Sequence, residues 1–548
     1  MLSSPLSDLM SRHILPLVLV AALAAPLAAQ PTTGSGTVAL VGTLPPGVVG
    51  IAYEPVEHIV YVLAGSGDLY RLGSGESLEL VAEAAEQGEG FRPFGIDIGP
   101  DGTVYLVGSR TTETMNVGVV RRGRAEGDGR VWTTVVETEP YPLGRTAYDH
   151  SVSAVAVHPS GEWLAVNSGS RTDHGEVQDA EGDFPGLREV PLTSAIFRVP
   201  SGATDLVIPA DSAALADSGF LFADGTRNSF GLAFAPDGEL FGAENSGDRD
   251  DGEELNWLRE GHHYGFPWRM GTNDTPQQFP GYDPDADPLV QPESGAYQNG
   301  DFYDDPTYPA QPAGVTFTDP LRNVGPDADE LRLPDGTIVD ASEMGMAATT
   351  FTPHRSPLGL LFLQENEGPW IYGCDAVLLS WTDGEDGSGS LLAPFEDTGE
   401  DLLCLGIDDT REALSASRFA TGFSNPIDTA YGEGTLYVAE FGEPYGLWAI
   451  HVFTPNVGPS PEDAIDVAVA PNPLRGGGEV AVTLAAAGPV RVRLVDVLGR
   501  TVATLHDGLL PAGTARLGVE AEGLAAGTYL AVVEAGGARV VRPLTVAR

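Results

Sequence analysis

The chain has 548 residues, of which 29 are lysine or arginine and 78 are aspartate or glutamate, so its formal net charge at pH 7 is −49. The sequence contains no lysine, and so acidic a surface repels nucleic acid and anionic membranes. The 69 glycines and 43 prolines favour turn-rich β structure over a helical protein, and the 42% hydrophobic content is enough for a sizeable core.

The chain begins with a segment typical of a signal peptide, to which we assign residues 1–29. Arg12 and His13 precede the apolar run Ile14–Ala25, and the small residues Ala28-Ala29 follow it. The run is too short for a comfortable transmembrane helix, and no other stretch of the sequence is apolar for long enough to span a bilayer. We therefore expect an exported protein that passes through the periplasm, has no transmembrane segment, and is secreted or held at the cell surface.

The two cysteines, Cys374 and Cys404, would then lie in a compartment that permits disulfides. A bridge between them and a pair of free thiols are both open alternatives. Metal binding by two isolated cysteines is disfavoured, because zinc sites need more ligands of this kind.

One hairpin pattern recurs along residues 37–453. It consists of a short apolar strand, a turn rich in proline and glycine, and a second apolar strand. The copies lie at Gly50–Leu63, Phe94–Val107, Ala154–Val166, Gly231–Ala243, Leu358–Ser380 and Pro426–Ala439. Self-similarity at intervals of this size is typical of a propeller, in which each sheet needs neighbours to cover its faces. The sequence therefore predicts an all-β fold with a six-bladed β-propeller, and an irregular sandwich with similar hairpins is the alternative.

The widest interval between two copies contains Gly271–Glu343, which is rich in proline, aspartate, glycine and tyrosine and shows little periodicity. We expect a long insertion that partly covers one face of the ring, because long loops are usually functional or disordered. Disorder of parts of this insertion is the simpler alternative.

A linker is predicted at residues 454–462, and the composition changes after it. Residues 463–548 show the alternating apolar and polar pattern of half-buried strands, which predicts a small β-sandwich. Pro471-Asn472-Pro473, Val492–Arg500 and Leu524–Tyr529 follow one another in an order that resembles the C-terminal sorting domain of type IX secretion cargo. The resemblance implies that the type IX secretion machinery is a partner and that this domain has no catalytic role. A carbohydrate-binding module is the alternative, but Tyr529 is the only large aromatic residue in the unit.

The richest stretch of the chain runs from Gly225 to Trp268 and reads as strand, turn, strand, acidic loop and second turn. An Arg-Asn pair followed by acidic and backbone oxygens could bind a hard cation and an anionic ligand, whereas a solvated loop is the plain alternative. The order of motifs resembles the glucose/sorbosone dehydrogenase family of six-bladed propellers. The matching segments are Arg227-Asn228, Gly231–Phe234, Pro236–Gly238, Glu244, Glu253–Asn256 and His263–Pro267.

The resemblance implies a reaction and two residues that perform it. His150 precedes a strand at the spacing of the family's catalytic histidine, and a neutral histidine can take the proton of a hydroxyl group. The implied substrate is a small-molecule sugar, an aldose, oxidised at its anomeric hydroxyl by hydride transfer to pyrroloquinoline quinone. Calcium would polarise the quinone, and Arg227 would offset the charge that develops on its oxygen.

The resemblance also implies binding residues for the quinone and for calcium. The cofactor-binding candidates are Arg92, Arg227, Asn228, Arg355 and Asn425. The carbonyl oxygens of Ser246 and Gly247 would hold the calcium beside the cofactor, and Glu254 with the carbonyl of Tyr264 would hold a second, structural calcium.

The sequence departs from the pattern of quinone-dependent members at several of these positions. Ser229-Phe230 stands where they have Pro-Gln, Asn425 stands where an arginine segment opens the last blade, and no lysine exists to contact the quinone carboxylates. Each lost charge-assisted contact would weaken quinone binding by about 1.5–3 kcal/mol.

Two other functions stay open at this point. The first is a non-catalytic propeller displayed on the cell surface that binds a glycan or a protein. The second is a calcium-dependent lactone or ester hydrolase with Asp97, Glu244 and Asn245 converging on a metal, since fold does not fix function. The pair His262-His263 could suggest a transition-metal site, but a loop turn explains it equally well.

Overall fold

The computed structural model describes residues 31–33, 37–73, 77–127, 129–363, 374–382, 391–451, 465–470, 474–484, 488–496, 501–511, 513–520, 524, 527–535 and 538–546. The predicted signal peptide and linker lie outside these residues. The chain divides into two compact units, Met1–Val452 and Phe453–Arg548. Across the described ranges, no helix has the length and apolar character needed to cross a membrane.

The first unit begins with two strands, β1 (Thr32–Thr33) and β2 (Thr37–Thr43), followed by three antiparallel sheets that we call blades 1 to 3. Blade 1 consists of β3 (Val48–Glu54), β4 (Ile59–Ala64), β5 (Leu69–Leu72) and β6 (Leu78–Ala82). Blade 2 consists of β7 (Arg92–Ile98), β8 (Val104–Thr111), β9 (Met115–Glu126) and β10 (Gly129–Thr138), with β11 (Tyr141–Pro142) beside β9. Blade 3 consists of β12 (Val152–Val157), β13 (Trp163–Ser168), β14 (Ala195–Pro200) and β16 (Leu221–Asp224), while β15 (Leu206–Ile208) pairs with β10.

Three further sheets follow. Blade 4 consists of β17 (Ser229–Phe234), β18 (Leu240–Glu244) and β19 (Glu254–Leu258). The segment after it holds β20 (Arg269–Met270), β21 (Asn273–Asp274), β22 (Arg322–Pro326), β23 (Glu330–Arg332) and β24 (Ile338–Asp340). Blade 5 consists of β25 (Pro357–Phe362), β26 (Ala376–Ser380), β27 (Asp401–Ile407) and β28 (Ala413–Thr421), and blade 6 of β29 (Pro426–Gly432), β30 (Thr435–Glu440) and β31 (Gly446–His451). The short helices of the unit are α1 (Ala84–Gln87), α2 (Ser212–Ser218) and α3 (Gly295–Asn299), with 3-10 turns at Pro276–Gln278 and Pro284–Ala286.

The six sheets form a closed ring. The first strand of each blade contacts the first strand of the next, and β29 of blade 6 contacts β3 of blade 1. The early strand β2 pairs with β31, so that the beginning of the unit completes its last sheet. These contacts confirm the predicted six-bladed propeller, whose central channel is lined by β3, β7, β12, β17, β25 and β29.

The inner strands share a bulge near their beginning. Each of the six pairs with its neighbour with a shift of register in its first residues. At Gly231, just past the bulge in β17, a Cβ atom would lie 2.0 Å from the carbonyl oxygen of Leu358 in the neighbouring blade. A glycine is therefore required where the inner strands approach each other most closely, which explains its recurrence in the repeated pattern.

Apolar side chains from adjacent blades form the core of the ring. Between blades 2 and 3, for example, Val107, Val155, Leu164 and Phe197 are buried in one cluster. Such face-to-face packing explains why several strands read as continuous apolar runs rather than alternating ones.

Blade 5 contains the cysteines. Cys374, just before β26, forms a disulfide with Cys404 in β27, with their Cα atoms 5.3 Å apart. The bridge thus joins two adjacent strands, which settles the alternative that the sequence left open.

The predicted insertion, Gly271–Glu343, has a defined course. It packs on the loop between β13 and β14, where the hydroxyl of Tyr308 donates to the carbonyl oxygen of His174 at 2.7 Å. The ring of Phe302 stacks on the imidazole of His174, with the ring centres 4.3 Å apart. The insertion therefore covers a loop of blade 3.

The second unit contains two sheets. One consists of β32 (Ile465–Ala470), β33 (Gly477–Leu484) and β36 (Gly513–Glu520), and the other of β34 (Gly488–Asp496), β35 (Thr501–Leu510), β37 (Gly527–Ala535) and β38 (Ala538–Val546). Val480 and Val482 of the first sheet and Val492 and Val533 of the second are buried in one core. The unit is thus the small β-sandwich that the sequence predicts. Tyr529 is 9% exposed and belongs to this core.

Candidate active site

The predicted site residues lie where the inner strands begin, at the end of the channel that we call the start face. Arg92 is the first residue of β7, and His150 lies two residues before β12. Arg227-Asn228 directly precede β17, Arg355 lies two residues before β25, and Asn425 directly precedes β29. Because the six inner strands surround one channel, residues of five different blades meet at this face.

His150 is held in one tautomer. Its Nδ1 lies 3.2 Å from the carbonyl oxygen of Ser170 and 3.1 Å from the Ser170 hydroxyl, which itself donates to the carbonyl of Thr172. Both Ser170 oxygens can therefore only accept, so Nδ1 carries the proton and the lone pair is on Nε2. The backbone carbonyl of Tyr148 is the other polar group that acts on the ring, and no described residue makes a direct hydrogen bond to Nε2.

Electrostatics keep this histidine neutral. Burial in the protein and the positive charge of Arg227 lower the pKa of His150 to about 3. Gly169 makes the close approach possible, because a Cβ atom there would lie 2.5 Å from the Cβ of His150 and 3.0 Å from Oδ1 of Asn228. The arrangement gives a neutral imidazole whose lone pair is available to a hydroxyl proton.

Arg227 is buried beside His150 and held from three sides. Its Nε donates to the carbonyl of Asp173 at 2.8 Å, its Nη2 to Oδ1 of Asp173 at 3.0 Å, and its Nη1 to the carbonyl of Asn245 at 3.0 Å. One N–H group on each of Nη1 and Nη2 has no partner in the residues that the structure describes. Arg227 can therefore still donate to a group bound next to His150.

Asp173 is a site residue that the sequence does not reveal. Its carboxylate accepts from Arg227, from Nδ1 of His174 at 2.8 Å, and from the backbone N–H of Asp248 at 3.1 and 3.2 Å. Burial alone would raise the pKa of Asp173, but the hydrogen bond from His174 and the charge of Arg227 outweigh it and lower that pKa well below its usual range. It lies in a polar run between β13 and β14 that reads as an ordinary surface loop.

The predicted calcium carbonyls lie beside the same carboxylate. A Cβ atom on Gly247 would come within 2.9 Å of Oδ2 of Asp173, so the chain passes the carboxylate at close range. Among the described residues, the hydroxyl of Ser246 and Oε2 of Glu253 are buried and have no hydrogen-bond partner. Burial raises the pKa of Glu253 to about 8. These unsatisfied oxygens suit a hard cation.

The second predicted calcium position has a similar donor chemistry. Glu254 lies opposite Glu244 in the sheet, and Nδ2 of Asn256 donates to both carboxylates, at 2.7 and 3.1 Å. Burial and the charge of Glu244 raise the pKa of Glu254 well above its usual range. Oδ1 of Asn256 is buried without a partner, and Tyr264 is buried in the same blade. No group of three or more His, Cys, Asp or Glu side chains in the described ranges could hold a metal ion, so backbone-ligated calcium stays a prediction.

The remaining cofactor candidates differ in how available they are. Arg92 is exposed and makes no ion pair with any described residue. Asn228 bonds Oδ1 of Asn245 at 3.1 Å, and the side chain of Asn425 donates to the carbonyl of Trp381 at 3.2 Å.

Arg355, by contrast, is 1% exposed and bonds Ser380, Thr398, Asp397 and Asp401 inside blade 5. Since its guanidinium is fully engaged there, the structure gives Arg355 a structural role in place of the predicted cofactor contact.

The hydrolase alternative requires Asp97 and Glu244 to point at one metal ion, but their hydrogen bonds lie in different blades. Asp97 accepts from the backbone of Val157 and Ile98, whereas Glu244 accepts from the backbone of Arg227 at 2.5 Å. Both carboxylates thus hold neighbouring strands together.

The histidine pair is separated. His262 contacts the hydroxyl of Thr318, whereas the ring of His263 lies against Trp268 and Phe317. His354 is buried and contacts Asp250 at 2.7 Å. His262 and His263 thus belong to a turn, which was the alternative to a transition-metal site.

Comparison with known proteins gives one sequence match. Residues 94–299 match the family model described as glucose / sorbosone dehydrogenase. This segment runs from blade 2 through blade 4 and includes His150, Arg227 and Asp173. The chain matches no curated protein sequence.

Solved structures with a similar fold include three sugar dehydrogenases. The soluble aldose sugar dehydrogenase of Escherichia coli is 15% identical with a TM-score of 0.48, covering 76% of this chain and 99% of that one. The PQQ-bound aldose sugar dehydrogenase of Streptomyces coelicolor is 18% identical with a TM-score of 0.43, covering 77% and 99%. The PQQ domain of pyranose dehydrogenase from Coprinopsis cinerea is 14% identical with a TM-score of 0.46, covering 78% and 99%.

Proposed function

We propose that the protein is a secreted sugar dehydrogenase that oxidises the anomeric hydroxyl of an aldose, with pyrroloquinoline quinone as hydride acceptor and calcium beside it. The observation that carries the proposal is the state of His150, a neutral imidazole with a free Nε2 lone pair next to a buried arginine. The family match over residues 94–299 supports the same reaction class.

The residues of the start face offer hydrogen-bond donors for the reacting end of the quinone. Arg227 has two N–H groups left to donate, and Arg92 offers an unpaired guanidinium for a carboxylate. Asn228 and Asn425 add amide groups at the same face. When bound, the quinone takes up the hydride that leaves the sugar carbon. The set of cationic partners is smaller than the sequence suggested, because Arg355 is engaged elsewhere.

In the proposed reaction, His150 takes the proton and Arg227 lies beside the bound ligand. The proton of the sugar hydroxyl passes to Nε2 of His150, while Nδ1–H stays bonded to Ser170 and fixes the plane of the ring. A pKa of about 3 makes His150 a weak base in the free protein. Burial is the larger cause of this low pKa and the charge of Arg227 the second. A negatively charged ligand bound beside Arg227 would offset the second cause, so the pKa of His150 would rise once the site is filled.

Calcium would be held by oxygen atoms alone. The carbonyls of Ser246 and Gly247 are the proposed ligands on the cofactor side, next to the unsatisfied oxygen of Glu253. Glu254 and the carbonyl of Tyr264 are the proposed ligands of the second ion, where a cation would relieve the repulsion between Glu254 and Glu244.

The proposed location follows from both ends of the chain. A leader at residues 1–29 would direct export, and the β-sandwich would address the protein to the type IX secretion machinery. Intact-mass analysis of the protein recovered from a type IX secreting host tests both assignments. Retention of residues 1–29 in the mature form would contradict the first, and export of a variant that lacks residues 463–548 would contradict the second.

The main experiment compares His150→Gln with His451→Gln. His451 is an exposed histidine at the end of β31, so its replacement controls for general effects of losing an imidazole. After reconstitution with quinone and calcium, dye-linked oxidation of aldoses is measured. We expect His150→Gln to lose roughly 10²–10⁴-fold in kcat with quinone affinity unchanged, and His451→Gln to behave as wild type. Wild-type protein that neither binds quinone in calorimetry nor oxidises any aldose would refute the proposal.

The second candidate function is binding of a glycan or a protein without a redox step. The engagement of Arg355 in blade 5 favours it, because one expected partner of the quinone carboxylates is lost. A glycan array on which the protein binds no sugar, together with quinone reduction in the main experiment, would exclude this alternative.

A further inference from the structure

A large cavity lies at the other end of the channel. The inner strands end there, and we call this end the turn face. The cavity has a volume of about 720 Å³ and is lined by the ends of all six inner strands. Exposed residues at its rim, Pro55, Pro100 and Pro159 among them, show that it opens to solvent. A cavity of this size is typical of small-molecule sites.

The charged groups that line the cavity are carboxylates. Asp97 accepts from the backbone N–H of Val157 at 2.6 Å, and Asp428 accepts from that of Ile51 at 2.8 Å. Both side chains are partly exposed to the cavity, and none of the described residues that line it is an arginine. Glu433 adds a third carboxylate at the exposed rim, 3.6 Å from Nδ1 of His58.

The pKa values of Asp97 and Asp428 are both raised, as expected for carboxylates with no cation beside them. Burial raises the pKa of Asp97 to about 6. Burial, and the neighbouring charge of Asp97, raise the pKa of Asp428 to about 7. A cation held between them would stabilise their ionised forms.

The walls of the cavity are aromatic. Tyr53, Phe234, Phe362 and Tyr431 line it from four different blades. His158 stacks on Trp163 with the ring centres 5.1 Å apart, and its pKa is lowered by burial and by the charge of Arg198. Rings around a negatively charged floor attract cations through their faces.

We propose that this cavity binds a small organic cation, a protonated amine whose charge lies near Asp97 and Asp428 and whose carbon body contacts the aromatic wall. The acidic lining disfavours anions. A metal ion fits less well, because Asp97 and Asp428 each already accept two backbone N–H bonds and no three-ligand group exists within the described ranges. The proposal rests on this cavity alone and is independent of the chemistry at the start face.

The test uses matched pairs of ligands that differ in charge. Calorimetry on the full-length protein compares hexylamine with hexan-1-ol, and cyclohexylamine with cyclohexanol, at low salt, because neither pair contains an aldose that could bind at the start face. We expect at least one amine to bind and its neutral counterpart to bind at least tenfold more weakly. Equal binding of an amine and its neutral partner would overturn the cation in favour of shape or hydroxyl recognition, and binding of neither amine up to millimolar concentration would overturn the site.

Variants locate the binding. Asp428→Asn is expected to weaken amine binding at least tenfold, and Asp217→Asn, which removes a charge from the exposed surface of α2, to leave it unchanged. Equal weakening by both would show that the ligand responds only to net charge and would overturn the proposal. Because Asp428 also bonds backbone groups, the rim variant Glu433→Gln and the wall variant Phe234→Leu are measured alongside, and each is expected to weaken binding two- to fivefold.

The two sites are separable in the same assays. His150→Gln is expected to bind the amine as wild type does. If sugar oxidation fails in every test, amine binding at the turn face is still expected, so the two proposals fail independently.

Discussion

At the scale of single residues, hydrogen bonds to the oxygen atoms of Ser170 and Thr172 fix the tautomer of His150. The carbonyl oxygen of Thr172 accepts a hydrogen bond from the Ser170 hydroxyl, so that hydroxyl can only accept from His150. The tautomer is thus fixed by two backbone carbonyls and one side chain. Ser170→Ala would remove the hydroxyl acceptor and leave the backbone carbonyl of residue 170 as the acceptor of the Nδ1 proton.

The assignment of Arg355 to the core of blade 5 predicts a loss of stability. Arg355→Met would leave Asp397 and Asp401 with Arg418 as their remaining cationic partner, so we expect the free energy of unfolding to fall by about 3 kcal/mol. The exposed pair of Arg71 and Glu79 serves as control, and Arg71→Met should change it by less than about 1 kcal/mol. Urea denaturation measures both. Unchanged stability with lost quinone affinity would restore the role that the sequence implied.

Glu253 predicts how stability depends on pH. Its pKa in the folded protein is about 8, above the ordinary value of 4.5, so the folded state keeps a proton that the unfolded state has already released between these values. The free energy of unfolding should therefore fall as pH rises from about 5 to 8, by a few kcal/mol. Glu253→Gln should reduce this slope, measured by urea denaturation in the presence of a chelator. An unchanged slope would mean that Glu253 is not protonated in the folded protein.

At the scale of elements, the bulges at the start of the inner strands connect the fold to the site. Each bulge lies next to the residues of the start face, and bulges turn the direction of the side chains that precede them. The repeated glycines belong to the same device, because they allow the inner strands to approach. Fold and site geometry thus depend on the same few positions of each blade.

Gly231 tests this dependence. Gly231→Ala would place a Cβ 2.0 Å from the carbonyl oxygen of Leu358, so we expect a loss of roughly 3 kcal/mol or more in the free energy of unfolding. Gly129→Ala is the matched control, since no atom lies within 4 Å of its Cβ position in β10. Thermal denaturation compares the two. Similar midpoints would show that the strands can move apart at little cost.

These elements also show what the sequence could and could not predict. The repeated hairpins predicted the propeller because turn residues and apolar strands are local signals. Asp173 escaped prediction because its partners Arg227 and Asp248 are distant in the chain, and no local pattern encodes such contacts. The engagement of Arg355 was likewise invisible, since Asp397 and Asp401 are distant in the chain and read as loop acids.

At the scale of the whole molecule, charge is the dominant feature. With a net charge of −49, the negative side chains of one folded molecule repel one another. Salt screens this repulsion, because the Debye length is about 10 Å at 0.1 M ionic strength and about 3 Å at 1 M. The molecule is therefore suited to saline surroundings.

We expect the thermal midpoint to rise by several degrees between about 0.05 and 1 M sodium chloride. Near pH 4.2, the sequence isoelectric point, the same addition should have little effect because the net charge vanishes. Differential scanning fluorimetry at both pH values measures the difference. An equal rise at both would point to a general salting-out effect in place of screening.

The pairing of β2 with β31 has a consequence for folding during synthesis. Thr37 of β2 and His451 of β31 are partners. One of the first strands to leave the ribosome therefore waits for almost the last residue of the unit before the ring can close. Until then, blade 6 lacks its outer strand and both edges can bind other chains. If synthesis stops or the chain is cut before β2 pairs with β31, blade 6 would bind the β2 of another copy. The result would be domain-swapped oligomers instead of single rings.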